Sequence, residues 1–217
     1  MPSITVIKSI SLLIASFLIG FGYFYIQSNQ SKNTRKTQME AISSLLINIV
    51  IYIWLGKIIV NLPKFINDPL AILAYPSNSS AFYVASVLGL INIIINVGNK
   101  KVSLNTYLEA FTPVFIGASL IFEFMNYLNN GTTNTLMYLI LLIVIIIIQL
   151  MFNEKTSVIN LNLIIVMIWS VIKLLLALIY SYTTVFNYIV HPIYFVVTIL
   201  LALYCFKIKR MWNFNGN

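Results

Sequence analysis

Acidic residues are almost missing from this chain. It holds five Asp and Glu among 217 residues, against thirteen Lys and Arg, and charged residues of all kinds make up 8% of it. Soluble domains carry about 25% charged residues, so a soluble globular fold is excluded. Histidine and cysteine occur once each. That excludes an intrachain disulfide and leaves too few ligands for a His/Cys zinc site. No Ser-His-Asp set and no glycine-rich phosphate loop occurs, so neither a metal nor a cofactor is expected. The one thiol, Cys205, sits in an apolar run and reads as a small buried residue.

Apolar residues fill the space those absences leave. They form 60% of the sequence, and they come in runs of about 20, the length that crosses a bilayer as helix. The formal charge of +8 does not point to nucleic acid, because the basic residues sit in short connections between apolar runs. Near the N-terminus one charge precedes an apolar run from Ile10 to Ile26. That run lacks a small-x-small cleavage site, so it reads as a permanent span and not as a leader.

The fold class expected is an all-α integral membrane bundle of about seven spans. They are placed at 4–26, 41–60, 81–97, 108–128, 135–152, 161–180 and 190–206. A Pro-containing surface arm at 61–80, with Pro63, Pro69 and Pro76, would lay Leu70, Ile72 and Leu73 on lipid. The alternate connections and the tail hold nine of the thirteen basic residues, the opposite side only Lys8 and Lys64, and Lys57 and Lys173 lie within spans. The positive-inside rule therefore predicts an outside N-terminus and a cytoplasmic C-terminus. Tyr23, Tyr25, Trp54, Tyr180, Tyr182 and Trp212 fall near span ends, as an interfacial belt would.

One stretch breaks the apolar rule. Tyr107–Gly131 is long enough to span a membrane, yet it carries Glu109 and Glu123. A carboxylate at membrane depth costs about 2.5–3.5 kcal/mol on insertion scales, so it normally faces a protein interior and has a partner. Asn126, Asn129 and Asn130 follow Glu123 and read as the polar mouth of a cavity. Lys57 or Lys173 could neutralise Glu123, could hold a lipid phosphate, or could snorkel to the nearer surface. Tyr83 opens the third span, where a tyrosine anchors at the interface. His191 beside Pro192 reads as a helix start. Gly20 and Gly22 would let helices approach closely. Thr112-Pro113 would free a carbonyl of the fourth span for a partner.

The order of these features resembles the prolipoprotein diacylglyceryl transferase family. An opening span and a basic loop, Lys32–Lys36, come first. Leu55-Gly-Lys57 stands where the family has Gly-Ala-Arg, and Asn67-Asp-Pro-Leu-Ala-Ile-Leu73 is similar to its Asn-Pro-x-x-Ile-Leu arm. Ala81-Phe-Tyr-Val-Ala85 with Gly89 stands for Ser-Phe-His-Gly-Gly. The family's signature span reads Pro…Gly…Gly-Arg-x-Gly-Asn-Phe-x-Asn. Here it is Pro113…Gly117…Phe122-Glu-Phe-Met-Asn-Tyr-Leu-Asn129, and Lys173 holds the place of an arginine in the penultimate span. The resemblance implies transfer of diacylglyceryl from phosphatidylglycerol to a lipoprotein cysteine. It implies a membrane phospholipid and a lipoprotein signal segment as partners. Lys57, Asn126, Asn129 and Lys173 would be lipid-binding, with Glu123 as general base and Tyr83 as proton donor.

Two departures bear on that chemistry. The family's His falls on Tyr83 and its signature Arg on Glu123. An arginine grips phosphate bidentately, whereas a glutamate repels it. The expectation is therefore a divergent or inactive lipid-binding relative in the cell membrane; if active, it would be a diacylglyceryl transferase-like glycerolipid transferase. The alternative is a non-catalytic scaffold, immunity factor or accessory subunit bound to a partner membrane protein.

Overall fold

The computed structural model describes residues 4–74 and 78–214, with side chains from Lys8 to Lys207 apart from those of Ala71, Leu73, Ala74 and Asn130. Pro76 and the side chains of Leu73, Asn130 and Trp212 therefore lie outside the described residues. The elements run α1 (Ile4–Gln27), α2 (Lys32–Val60), α3 (Leu62–Asn67), α4 (Pro69–Ala74), α5 (Ser79–Gly98), α6 (Leu104–Asn130), α7 (Thr133–Phe152), α8 (Val158–Tyr180), β1 (Thr183–Val185), β2 (Tyr188–Val190) and α9 (Pro192–Phe214). Among the described residues the protein is all-α but for one two-stranded hairpin. Six helices are long and apolar enough to cross a membrane: α1, α2, α5, α6, α7 and α8. The apolar part of α9, Pro192–Lys207, is shorter.

Several boundaries differ from those that apolar length marks. α2 begins at Lys32 and not near 41, because Ser31 caps it by accepting the Thr34 amide and a helix needs no apolar side chains to continue. Asn78 and Thr132 cap α5 and α7 in the same way, accepting the Ala81 and Thr135 amides. α6 begins at Leu104 rather than 108, and α9 continues to Phe214 beyond the expected end at 206. Between Leu62 and Ala74 the arm is two short helices, each with a proline in its first turn. The hairpin at 183–190 replaces the expected connection. Its turn residues Phe186 and Asn187 have φ of 49° and 67°, the positive pair that a two-residue type I′ turn requires.

The chain forms two compact units. The first comprises Met1–Ser11, Gln30–Tyr107 and Asn187–Ile189. Within it α2 packs along α5. Gly56 permits this, since a β-carbon there would lie 2.7 Å from the Ala81 carbonyl oxygen and 3.0 Å from its Cα. A polar ladder joins the helices. Asn92 donates to the Tyr52 hydroxyl (2.9 Å), and Asn96 donates to Asn92 Oδ1 (3.0 Å) and to the Tyr107 hydroxyl (3.4 Å). Asparagine bridges of this kind hold helices together where lipid offers no hydrophobic drive between them. Phe82 stacks on Tyr188, with ring centroids 5.0 Å apart.

The second unit comprises Leu12–Asn29, Leu108–Phe186 and Val190–Asn217. Here α8 packs on α7 and α9. Cys205 borders the apolar cluster of Ile159, Leu163 and Ala202 and is half-buried, not fully buried as its reading as a small buried residue expects. Gly20 of α1 sits on α6, where its missing β-carbon would meet Val114 and Ala118, whereas Gly22 faces nothing within 4 Å. Only the first glycine of the pair therefore serves close packing.

Pro113 lies inside α6 without ending it. Proline has no N–H, so the carbonyl four residues back, that of Glu109, loses its helical donor. Asn162 of α8 supplies the replacement, donating to the Glu109 carbonyl (2.9 Å) and the Leu108 carbonyl (3.1 Å). Asn162 in turn accepts from Gln149 (3.1 Å), which accepts from the Tyr23 hydroxyl (3.1 Å). Four helices are thus tied by one buried polar chain.

Candidate functional site

Among the described residues the buried charged side chains are Lys57, Glu123 and Lys173. Glu123 and Lys173 both belong to the second unit and lie within electrostatic reach of each other. Glu123 lies about two turns from the end of α6 at Asn130. Lys173 lies about two turns from the end of α8 at Tyr180, and Tyr138 little more than one turn into α7. Glu123 and Lys173 therefore sit roughly 10 Å from the C-terminal ends of α6 and α8, and Tyr138 roughly 8 Å from the N-terminal end of α7, which follows α6 after a short turn.

Helical spacing builds the site. Ser119, Glu123 and Asn126 fall four and three residues apart on one face of α6, and Trp169 and Lys173 fall four apart on α8. Asn126 hydrogen-bonds the Glu123 carboxylate. The Lys173 ammonium donates to the Thr184 carbonyl of β1 at 2.6 Å and lies 3.3 Å from the centre of the Tyr138 ring. A desolvated cation gains about 2 kcal/mol or more over an aromatic face. The Tyr138 hydroxyl is held by Trp169 Nε1, which donates at 2.7 Å, and by Ser119. The arrangement places one carboxyl and one amine group in a largely apolar enclosure, with each fixed by neutral neighbours.

Aromatic rings close the surroundings. Phe115 meets Trp169 edge-on at 5.0 Å, and Trp169 meets Phe195 at 5.6 Å. Phe186, at the hairpin turn, touches the rings of Phe17, Phe115 and Phe122 at 5.1, 5.7 and 5.2 Å.

The sequence-predicted residues fall out as follows. Glu123, Lys173 and Asn126 come together. Asn129 is exposed and donates to the Met125 carbonyl of its own helix (2.8 Å). Lys57 and Tyr83 belong to the first unit, where Lys57 is buried and half-buried Tyr83 stands edge-on to Phe82 (6.4 Å). His191 is exposed and begins α9, accepting the Ile193 amide at Nδ1 (3.3 Å). Tyr138, Trp169 and Ser119 were missed. The four-residue spacing of Ser119 to Glu123 and of Trp169 to Lys173 is the signal that would have found two of them. No group of three His, Cys, Asp or Glu that could hold a metal ion occurs among the described residues.

Architecture and site together define a multi-pass membrane protein with a carboxyl and a lysine amine buried within electrostatic reach of each other inside one of its helical units. Compared with protein families, curated proteins and solved structures, the chain matches none.

Proposed function

We propose that this protein binds a phospholipid in the cell membrane, as a divergent relative of the prolipoprotein diacylglyceryl transferases that has lost the transfer reaction. The observation that carries the proposal is the burial of Glu123, Lys173 and Tyr138 together, with half-buried Asn126 beside them, near the ends of α6 and α8 and the start of α7. Ionisable residues inside a membrane are costly and mark the paths or sites of polar ligands. A phospholipid head group matches the pair: its phosphate suits the Lys173 ammonium, and its hydroxyl or amine donors suit Glu123 and Asn126. Under the positive-inside reading of the Lys and Arg distribution, this end faces outward.

Loss of transfer follows from the same residues. Glu123 stands where the resembling family has a phosphate-gripping arginine, and a carboxylate there opposes phosphatidylglycerol chemistry by the family's route.

The test compares the protein with Glu123→Gln/Lys173→Met, which removes both charges at once and leaves neither stranded. After purification in mild detergent, intact-complex mass spectrometry should find phospholipid on the first. Occupancy should be about tenfold lower on the second, as the loss of one charged hydrogen bond of about 1.5 kcal/mol predicts. Expressed in a bacterium depleted of its own diacylglyceryl transferase, the protein should leave lipoproteins unmodified. Equal lipid on both proteins, or a stoichiometric protein partner in place of lipid, would overturn the binding reading. Restored lipoprotein modification would overturn the loss of catalysis.

A further inference from the structure

The segment between α8 and the hairpin turn does something the lipid-binding reading does not require. Thr183 and Val185 of β1 are buried. The Thr184 carbonyl takes one of the three donors of the Lys173 ammonium at 2.6 Å. Two residues on, the Phe186 ring lies among Phe17, Phe115 and Phe122, and Phe122 is the chain neighbour of Glu123. A carbonyl oxygen on the cation beside an apolar group in an aromatic slot is the pairing that a phospholipid would present, as phosphate oxygen and acyl chain.

The backbone at the turn points the same way. Type I′ turns favour Asn, Asp or Gly at both central positions. Asn187 fits, but Phe186 is a bulky residue at φ 49°, where such residues are outliers. Strain of this kind persists only while the surroundings hold it, and here three rings do. Withdrawing the Phe186 ring would free the backbone to relax, so the contact and the turn give way together. A segment held in a strained turn by such contacts is one that a ligand can bias.

We infer that Thr183–Phe186 is a built-in plug of the Glu123–Lys173 site, which a phospholipid must displace in order to bind. This inference rests on the lipid-binding reading above. It adds that the structure is the closed state and that affinity is set by how readily β1 withdraws.

The probe is phosphatidylglycerol, titrated into the delipidated protein in detergent. Phe186→Gly removes the ring while leaving a residue that accepts positive φ. It should bind roughly tenfold more tightly, the factor by which a site open one-tenth of the time weakens its apparent affinity. The second variant is Phe17→Cys/Phe186→Cys on a Cys205→Ala background. Unbridged, it should bind as Phe186→Gly does; joined by a short thiol-bridging reagent, it should lose binding. No gain in Phe186→Gly, or binding unchanged by bridging, overturns the plug, and the bridging arm decides if Phe186→Gly does not remain monodisperse. If the protein and Glu123→Gln/Lys173→Met bind alike, the site itself is wrong. If they differ but the plug variants do not, only the plug is wrong.

Discussion

Lys173→Met should be the most damaging single substitution at the site, lowering stability by about 3–5 kcal/mol, the usual cost of stranding one member of a buried pair. Lys173 is 2% exposed and Glu123 6%, so water cannot replace the lost partner. Without the ammonium, the carboxylate keeps Asn126 as a donor but loses its counter-charge. The Thr184 carbonyl also loses the hydrogen bond that holds β1. Glu123→Gln should cost less, because Lys173 retains the Thr184 carbonyl and the face of Tyr138. The double change Glu123→Gln/Lys173→Met should recover most of the loss, since replacing a buried pair by neutral groups is often neutral or stabilising. Thermal unfolding in detergent, followed by gel-filtration recovery, reads all four proteins. A double variant as damaged as Lys173→Met alone would show that the two charges do not depend on each other. The cycle also separates stability from binding, because a well-folded double variant is the control that the lipid experiment needs.

How much of the fold and site is legible in the sequence depends on the cost of each residue in an apolar run. Charges are expensive there, so Glu123, Lys57 and Lys173 stand out by residue type alone, but which lysine comes within reach of Glu123 is set by the fold. Neutral polar residues are cheaper, and nothing local distinguishes Gln149 or Asn162 from tolerated passengers. Yet both are fully or almost fully buried in the chain that reaches the Glu109 carbonyl. Pro113 announces a freed carbonyl, because that is a property of one residue. The partner that fills it lies 53 positions away, and sequence spacing does not carry that. The hairpin is hidden for a different reason. Thr183-Thr-Val-Phe-Asn-Tyr-Ile-Val190 has Phe-Asn where the usual two-residue turn has Asn-Gly, and its conformation depends on rings from α1 and α6. Helix ends are displaced at Lys32 and Phe214 because apolar length marks the membrane and caps mark the helix.

Gly20→Val should be the second large effect, and Gly22→Val its silent neighbour. A β-carbon at Gly20 would lie 2.9 Å from the Ala118 amide nitrogen and 3.1 Å from the Ala118 Cβ, with the Val114 carbonyl oxygen nearer still. Backbone atoms of a helix cannot turn aside as a side-chain tip can, so α1 must move off α6. Overpacking of this kind costs about 1–3 kcal/mol in a protein core. Lipid tails give helices no hydrophobic reason to stay together, so separation loses van der Waals contact with nothing to offset it. The displacement would be felt beyond the glycine. Gly117 lies against Gly20 and Tyr23, and Tyr23 donates to Gln149 at 3.1 Å. Moving α1 therefore strips the buried chain of its first member. It also shifts Phe17, which holds the Phe186 ring at 5.1 Å. Gly22 meets nothing within 4 Å, so Gly22→Val should stay within about 0.5 kcal/mol, as surface substitutions do. Unfolding midpoints of the two variants in the same detergent make the comparison. Equal midpoints would mean that α1 is not seated on α6 through Gly20. A drop confined to Gly20→Val would place that helix contact upstream of both the polar chain and the closed turn at Phe186.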